Sequence, residues 1–168
     1  MTTIIVPFDS YSNGRVIRIE NLSKLAVKRN LTITDKDEVG TNVIALDETK
    51  GKLLYAATEP GTASCLILDL NKIESCTIKK EYKSIAAGEL LKNKLHHFLH
   101  HINLKLVFKN RSGSVSLPIL DPKKQVTQNV EQLERLATKW QKIVASLLHP
   151  KREMTLAGLY PIQIGSRS

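Results

Sequence analysis

Between Asn103 and Leu120, apolar and polar positions alternate on both sides of a short turn. Leu104, Leu106 and Phe108 alternate with Asn103, Lys105 and Lys109; after Asn110-Arg111-Ser112-Gly113, Val115, Leu117 and Ile119 alternate with Ser114 and Ser116. A period of two places the apolar set on one face of a sheet, so this stretch predicts a hairpin with one buried and one wet face. From Val130 the period changes. Val130, Leu133, Leu136, Ala137, Trp140, Ile143, Val144, Leu147 and Leu148 recur at steps of three and four up to His149-Pro150. The spacing predicts an amphipathic helix over 128 to 148, ended by proline, that lays the chain's single tryptophan on the sheet.

Upstream, strand patterns dominate. Leu31 to Thr34 alternates, and Asn42 to Leu46 and Lys52 to Thr58 form a second hairpin around Glu48-Thr49-Lys50-Gly51. The unbroken run Cys65-Leu66-Ile67-Leu68 suits a central strand. Asp69 to Lys72 turns the chain, and Glu74 to Tyr82 alternates again as Cys76 and Ile78 against Ser75, Thr77 and Lys79. Val16 to Val27 mixes both periods and is read as a short helix. Ser84 to His101 is read as an inserted helix, with Leu90 or Leu91, Leu95, Phe98, Leu99 and Ile102 on one stripe. Ile4 to Phe8 predicts an edge strand or arm, and 151 to 168 has no regular period. The division expected is therefore an N-terminal arm and short helix over 1–30, a core over 31–149 and a tail over 150–168.

A chain of 168 residues can bury roughly 70% of its unfolded surface, so one domain needs no covalent staple. Cys65 and Cys76 are the only cysteines and lack the spacing of a metal or redox pair. Two buried free thiols in a reducing cytoplasm is the expectation; a Cys65–Cys76 disulfide is the alternative. No apolar run approaches the ~20 residues of a membrane span. The formal charge of +9 is uneven, with 14 Lys/Arg against 12 Asp/Glu in residues 1 to 100 and 11 against 4 in residues 101 to 168. The predicted hairpin and closing helix thus carry most of the positive excess.

The passage from Cys65 through Asp69-Leu70-Asn71-Lys72-Ile73 to Ile78, the hairpin at 103 to 120 and the helix Glu131 to Leu148 with Trp140 inward together resemble the pleckstrin-homology-like superfold and its bacterial and GRAM relatives. The resemblance covers about residues 43 to 148. It implies an α+β fold, a strongly bent antiparallel barrel or sandwich of about seven strands capped by a C-terminal amphipathic helix, here with an inserted helix before the last hairpin. The same passage, with Ile78-Lys79-Lys80-Glu81-Tyr82 and Ala137-Thr138-Lys139-Trp140, also resembles a family of uncharacterised Bacteroidota proteins. Phosphoinositide binders of the superfold place Lys and Arg between their first two strands. That pattern is not matched, so the resemblance brings no lipid function.

Two polar clusters invite chemistry. On a helix, His96 with His100 and His97 with His101 would be i,i+4 pairs able to ligate zinc or copper, although no third ligand is close in sequence; a solvated helix face is the other reading. Lys79, Lys80, Lys83, Lys105, Lys109 and Arg111 would form one anion-binding face if their strands lie together. With aromatic residues at 5%, no strand offers a stacking platform for single-stranded nucleic acid. No catalytic motif is present, and no cofactor is implied. Leu66, Leu68, Leu104, Leu106, Phe108, Val115, Leu117, Leu133, Leu136, Trp140, Ile143 and Leu147 are the expected core. The function expected is a non-enzymatic binding or scaffold module that holds a protein partner at a sheet edge or barrel end, with a membrane surface as one setting. The alternative is direct binding of anionic lipid or nucleic-acid phosphate through the basic C-terminal half.

Overall fold

Side-chain alternation sets the architecture. In the computed structural model, which describes residues 15–19, 22–59, 62–123 and 129–149, the chain forms two antiparallel sheets and a closing helix. The elements are β1 (Arg15–Ile19), α1 (Leu22–Lys28), β2 (Asp35–Val39), β3 (Asn42–Asp47), β4 (Lys52–Glu59), β5 (Thr62–Asp69), β6 (Ile73–Tyr82), α2 (Glu89–Lys92), β7 (Leu99–Phe108), β8 (Ser114–Leu120) and α3 (Val130–Leu148). One sheet has the order β1-β5-β4-β3-β2 and the other β6-β7-β8. The fold is α+β, as expected: β2 to β8 supply seven strands, and β1 adds an eighth beside β5.

The main core lies between the sheets and under α3. Ile44, Leu46, Leu53, Leu66 and Leu68 from the first sheet meet Leu104, Leu106, Phe108, Val115 and Leu117 from the second, all fully buried or nearly so. Leu133, Ala137, Trp140 and Val144 of α3 close this core, with Leu136, Ile143 and Leu147 packed at its margin. Burying a side chain of this size stabilises by roughly 1.5–3 kcal/mol, so the α3 stripe is what holds the helix in place. Its start is set by Asn129, whose Oδ1 accepts the Glu131 N–H at 2.9 Å. A second, smaller core covers the outer face of the first sheet, where Leu25 of α1 packs with Ala45, Leu54, Ala56 and Cys65. This explains why β3, β4 and β5 read as nearly continuous apolar runs: both faces are covered.

The hairpin at β7 and β8 and that at β3 and β4 form as expected. In the β7–β8 turn, Asn110 takes a left-handed φ of 62° and Gly113 a φ of 120°, conformations that suit Asn and Gly. Three expectations are corrected. Val16 to Val27 divides into a strand and a helix, β1 and α1, so the two mixed periods belong to successive elements. Leu31 to Thr34 is not a strand: Leu31 and Ile33 pack into the outer core, and Thr34 N–H donates to Leu46 O at 2.7 Å, while the strand itself is Asp35–Val39.

The largest correction concerns the insertion. Ser84 to His101 yields only the single turn of α2 and a 3₁₀ turn at Leu95–Phe98, and β7 begins at Leu99. The cause is the length of β6. Its last residues would leave a ladder unmade, and instead Lys80, Glu81 and Tyr82 pair with Ile102, His101 and Leu99, with a register shift between Glu81 and Tyr82. Leu99 and Ile102, counted above on a helical stripe, are inward residues of a strand.

Candidate functional site

β6 is an edge strand of its sheet, paired to β7 on one side only. Its other side faces α3. Gln141 Nε2 on that helix donates to the Cys76 carbonyl at 3.2 Å, so the backbone groups of Cys76 point away from β7. In an antiparallel ladder backbone direction alternates, and the amides and carbonyls of Ile78 and Lys80 therefore face the same open side. Past Cys76, Lys80 of the same strand helps line a cleft of about 420 Å³ whose other walls are His96, Glu131, Glu134, Arg135 and Thr138.

Each wall has a local cause. Glu131, Glu134, Arg135 and Thr138 follow one another at helical steps of three, one and three, so one side of the first turns of α3 is polar. His96 reaches in from the 3₁₀ turn, its Nε2 3.3 Å from Glu131 Oε1. Lys80 Nζ lies 3.0 Å from Glu134 Oε1. Among the described residues Arg135 makes no ion pair. The cleft is thus amphoteric, with both charge signs half exposed and Lys80 bringing the unpaired strand β6 to its wall.

The structure brings some of the predicted site residues together and separates others. Thr77 is registered with Lys105 and Lys79 with Asn103, so Lys79 and Lys105 share the outer face of the second sheet. Lys80, one residue on, points to the opposite face and pairs with Glu134. Lys83 lies just past β6, its N–H bonded to Phe98 O at 2.7 Å. Lys109 and Arg111 sit in the β7–β8 turn, roughly 20 Å along the strand from Asn103 at ~3.3 Å per residue. The single basic face is not formed, because successive strand residues point to opposite faces.

The histidines are divided as well. His96 and His97 lie on the 3₁₀ turn and His100 and His101 on β7, so the helical i,i+4 pairs do not exist. His101 Nδ1 lies 3.4 Å from Glu81 Oε2 across the ladder, and its ring stacks on His100 at 4.4 Å. Among the described residues no three His, Cys, Asp or Glu side chains gather as a metal site would require. Cys65 and Cys76 are free and buried, and burial pushes each thiol up to about 12. They behave as small apolar side chains.

The cleft itself went unseen in the sequence, although the polar spacing from Glu131 to Thr138 was readable there. What was missing was the knowledge that β6 has no second neighbour. No helix among the described residues is long and apolar enough to cross a membrane. No protein-family model, no curated protein and no solved structure matches this chain.

Proposed function

We propose that the protein is a non-enzymatic binding module that holds an extended segment of a partner protein by adding it as a strand to the open edge of β6, in the cleft walled by α3. One observation carries this reading. Gln141 on α3 caps the Cys76 carbonyl on the edge of β6 that β7 does not pair, and farther along the same strand Lys80 lines the cleft. Unpaired edges invite pairing, and main-chain bonds give such complexes their affinity while flanking side chains choose the sequence. Glu131, Glu134 and Arg135 would supply that choice. The order of two meanders, β2 to β5 and β6 to β8, followed by a closing helix supports the pleckstrin-homology-like reading, and two buried thiols favour a reducing cytoplasmic setting.

The test is a peptide-display selection on the full chain, followed by titration of the selected peptides against Lys80→Pro. Proline there removes an N–H that faces away from β7, on the unpaired edge, and leaves the β7 ladder intact. The reading expects at least a tenfold loss of affinity, the equivalent of about 1.4 kcal/mol. Selected peptides that bind Lys80→Pro as well as the parent would overturn it. The alternative, phosphate binding through the basic half, retains only Lys79 and Lys105 on a common face. It requires affinity that falls steeply with salt.

A further inference from the structure

We propose that the insertion between β6 and β7 docks the protein on an anionic lipid surface. Five large apolar side chains are exposed among the described residues, and four of them lie in or next to this insertion: Tyr82, Leu90, Leu91 and Leu95, with Leu91 91% exposed. A lone exposed leucine means little, but several on one short segment mark a contact surface. The segment is short of secondary structure, one turn of α2 and one 3₁₀ turn, so its leucines are not the inner face of a helix awaiting a groove.

The charges around the leucines choose the occupant. Lys83, Lys92 and Lys94 are exposed, and the residues between β6 and α2, Ser84 to Gly88, carry no charge. The only acid of the insertion, Glu89, turns back on the backbone, where its Oε2 accepts the Ala86 N–H at 2.5 Å. From Tyr82 to Leu95 the exposed surface thus combines four apolar side chains with three cations, and the nearest exposed carboxylate, Glu81 before Tyr82, is turned to His101. A bilayer with anionic headgroups complements both parts. Leucines enter the acyl boundary, lysines extend to the phosphates, and Tyr82 suits the headgroup level. A protein groove would need the apolar area but not the excess of lysines beside it. This docking is independent of strand addition at β6, since it uses different residues.

The experiment is co-sedimentation of the full chain with phosphatidylcholine vesicles, with and without phosphatidylserine, at low and moderate salt. Binding is expected only with phosphatidylserine and should weaken as salt rises. Leu91→Asp should reduce it more than tenfold, and Lys92→Ala or Lys94→Ala about fivefold each. A fluorophore on Leu91→Cys should shift to the blue on vesicles, and soluble glycerophosphoserine should not displace the protein. Lys80→Pro should bind vesicles as the parent does, which separates a failure here from a failure of the strand-addition reading. The substituted side chains are exposed, and native Trp140 emission verifies folding in each variant. Absence of binding to phosphatidylserine vesicles at low salt overturns the proposal. So does binding unchanged by Leu91→Asp, or an effect of Leu91→Asp confined to self-association.

Discussion

Trp140 donates its indole N–H to Asp37 Oδ2 at 2.8 Å, joining the closing helix to the edge strand of the opposite sheet. Lys139 Nζ meets the same carboxylate oxygen at 2.6 Å and Asp35 Oδ1 at 3.4 Å. Trp140 is fully buried, so its N–H loses its acceptor if the carboxylate is removed. Asp37→Ala is expected to cost about 2 kcal/mol, and Asp37→Asn, which keeps an acceptor, about half that. Urea unfolding followed by the emission of the single tryptophan measures both. Equal losses for the two substitutions would show that the orphaned indole is not the cause.

A second polar link ties the sheets together from within. Tyr55 on β4 donates its hydroxyl proton to the Pro118 carbonyl on β8 at 2.5 Å and accepts from Asn42 Nδ2 at 2.8 Å. Burial raises the pKa of the Tyr55 hydroxyl, which keeps it a donor. Tyr55→Phe preserves the ring packing and leaves a carbonyl and an amide without this partner, at about 1–3 kcal/mol. Because the residues act as one chain of bonds, adding Asn42→Ala to Tyr55→Phe should cost less than the sum of the two. An additive double-mutant cycle would contradict that coupling.

Stability should fall on both sides of neutrality, for different groups. Burial opposes the charge of Asp47, but the N–H groups of Thr32 and Lys50 and the Lys50 charge outweigh it and hold its pKa below 3.8. Burial likewise opposes the charge of Asp69, and the Lys52 ammonium and the Asn71 N–H lower its pKa. A depressed folded pKa gives stability that is present above the unfolded value and lost as pH falls through the folded one, so the stability these two carboxylates contribute should decline as pH falls below 3.8. Asp47→Asn should flatten this acid limb in urea midpoints taken against pH.

The thiols begin the alkaline limb, and the buried Tyr55 hydroxyl, ionising above 10.0 only in the unfolded chain, adds to it with the same sign. Between 9.0 and about 12, Cys65 and Cys76 ionise in the unfolded chain while burial keeps them protonated in the folded one. The folded state then binds more protons, and stability declines as pH rises through that window. A Cys65→Ala, Cys76→Ala variant should start less stable and decline less over the same range. An unchanged alkaline slope in this variant would assign the decline elsewhere.

The same burial predicts reactivity. A thiol-specific reagent at about pH 8 needs both access and thiolate, and native Cys65 and Cys76 provide neither. Mass spectrometry should find no label on the folded protein and two labels after denaturation. Rapid labelling of either thiol under native conditions would show that its strand opens.

Alternation along the chain by itself determined the two hairpins around 42–58 and 103–120 and the helix from Val130 to Leu148, because in a strand or amphipathic helix the local period states which side chains are buried. It also identified the core, since Leu104, Phe108, Val115 and Trp140 are buried wherever their elements pack. Tertiary structure decided the rest. Asp35-Lys36-Asp37-Glu38 shows no apolar period, yet it is a strand, because its backbone pairs with β3 and its inward aspartates meet Lys139 and Trp140 of α3. The histidine segment carries a helical stripe, yet its second half is a strand, because β6 is long enough to demand a partner there. The cleft beside β6 exists only because the sheet ends at that strand and α3 crosses near it. Which edge stays open is a property of pairing between distant segments, and no local period records it.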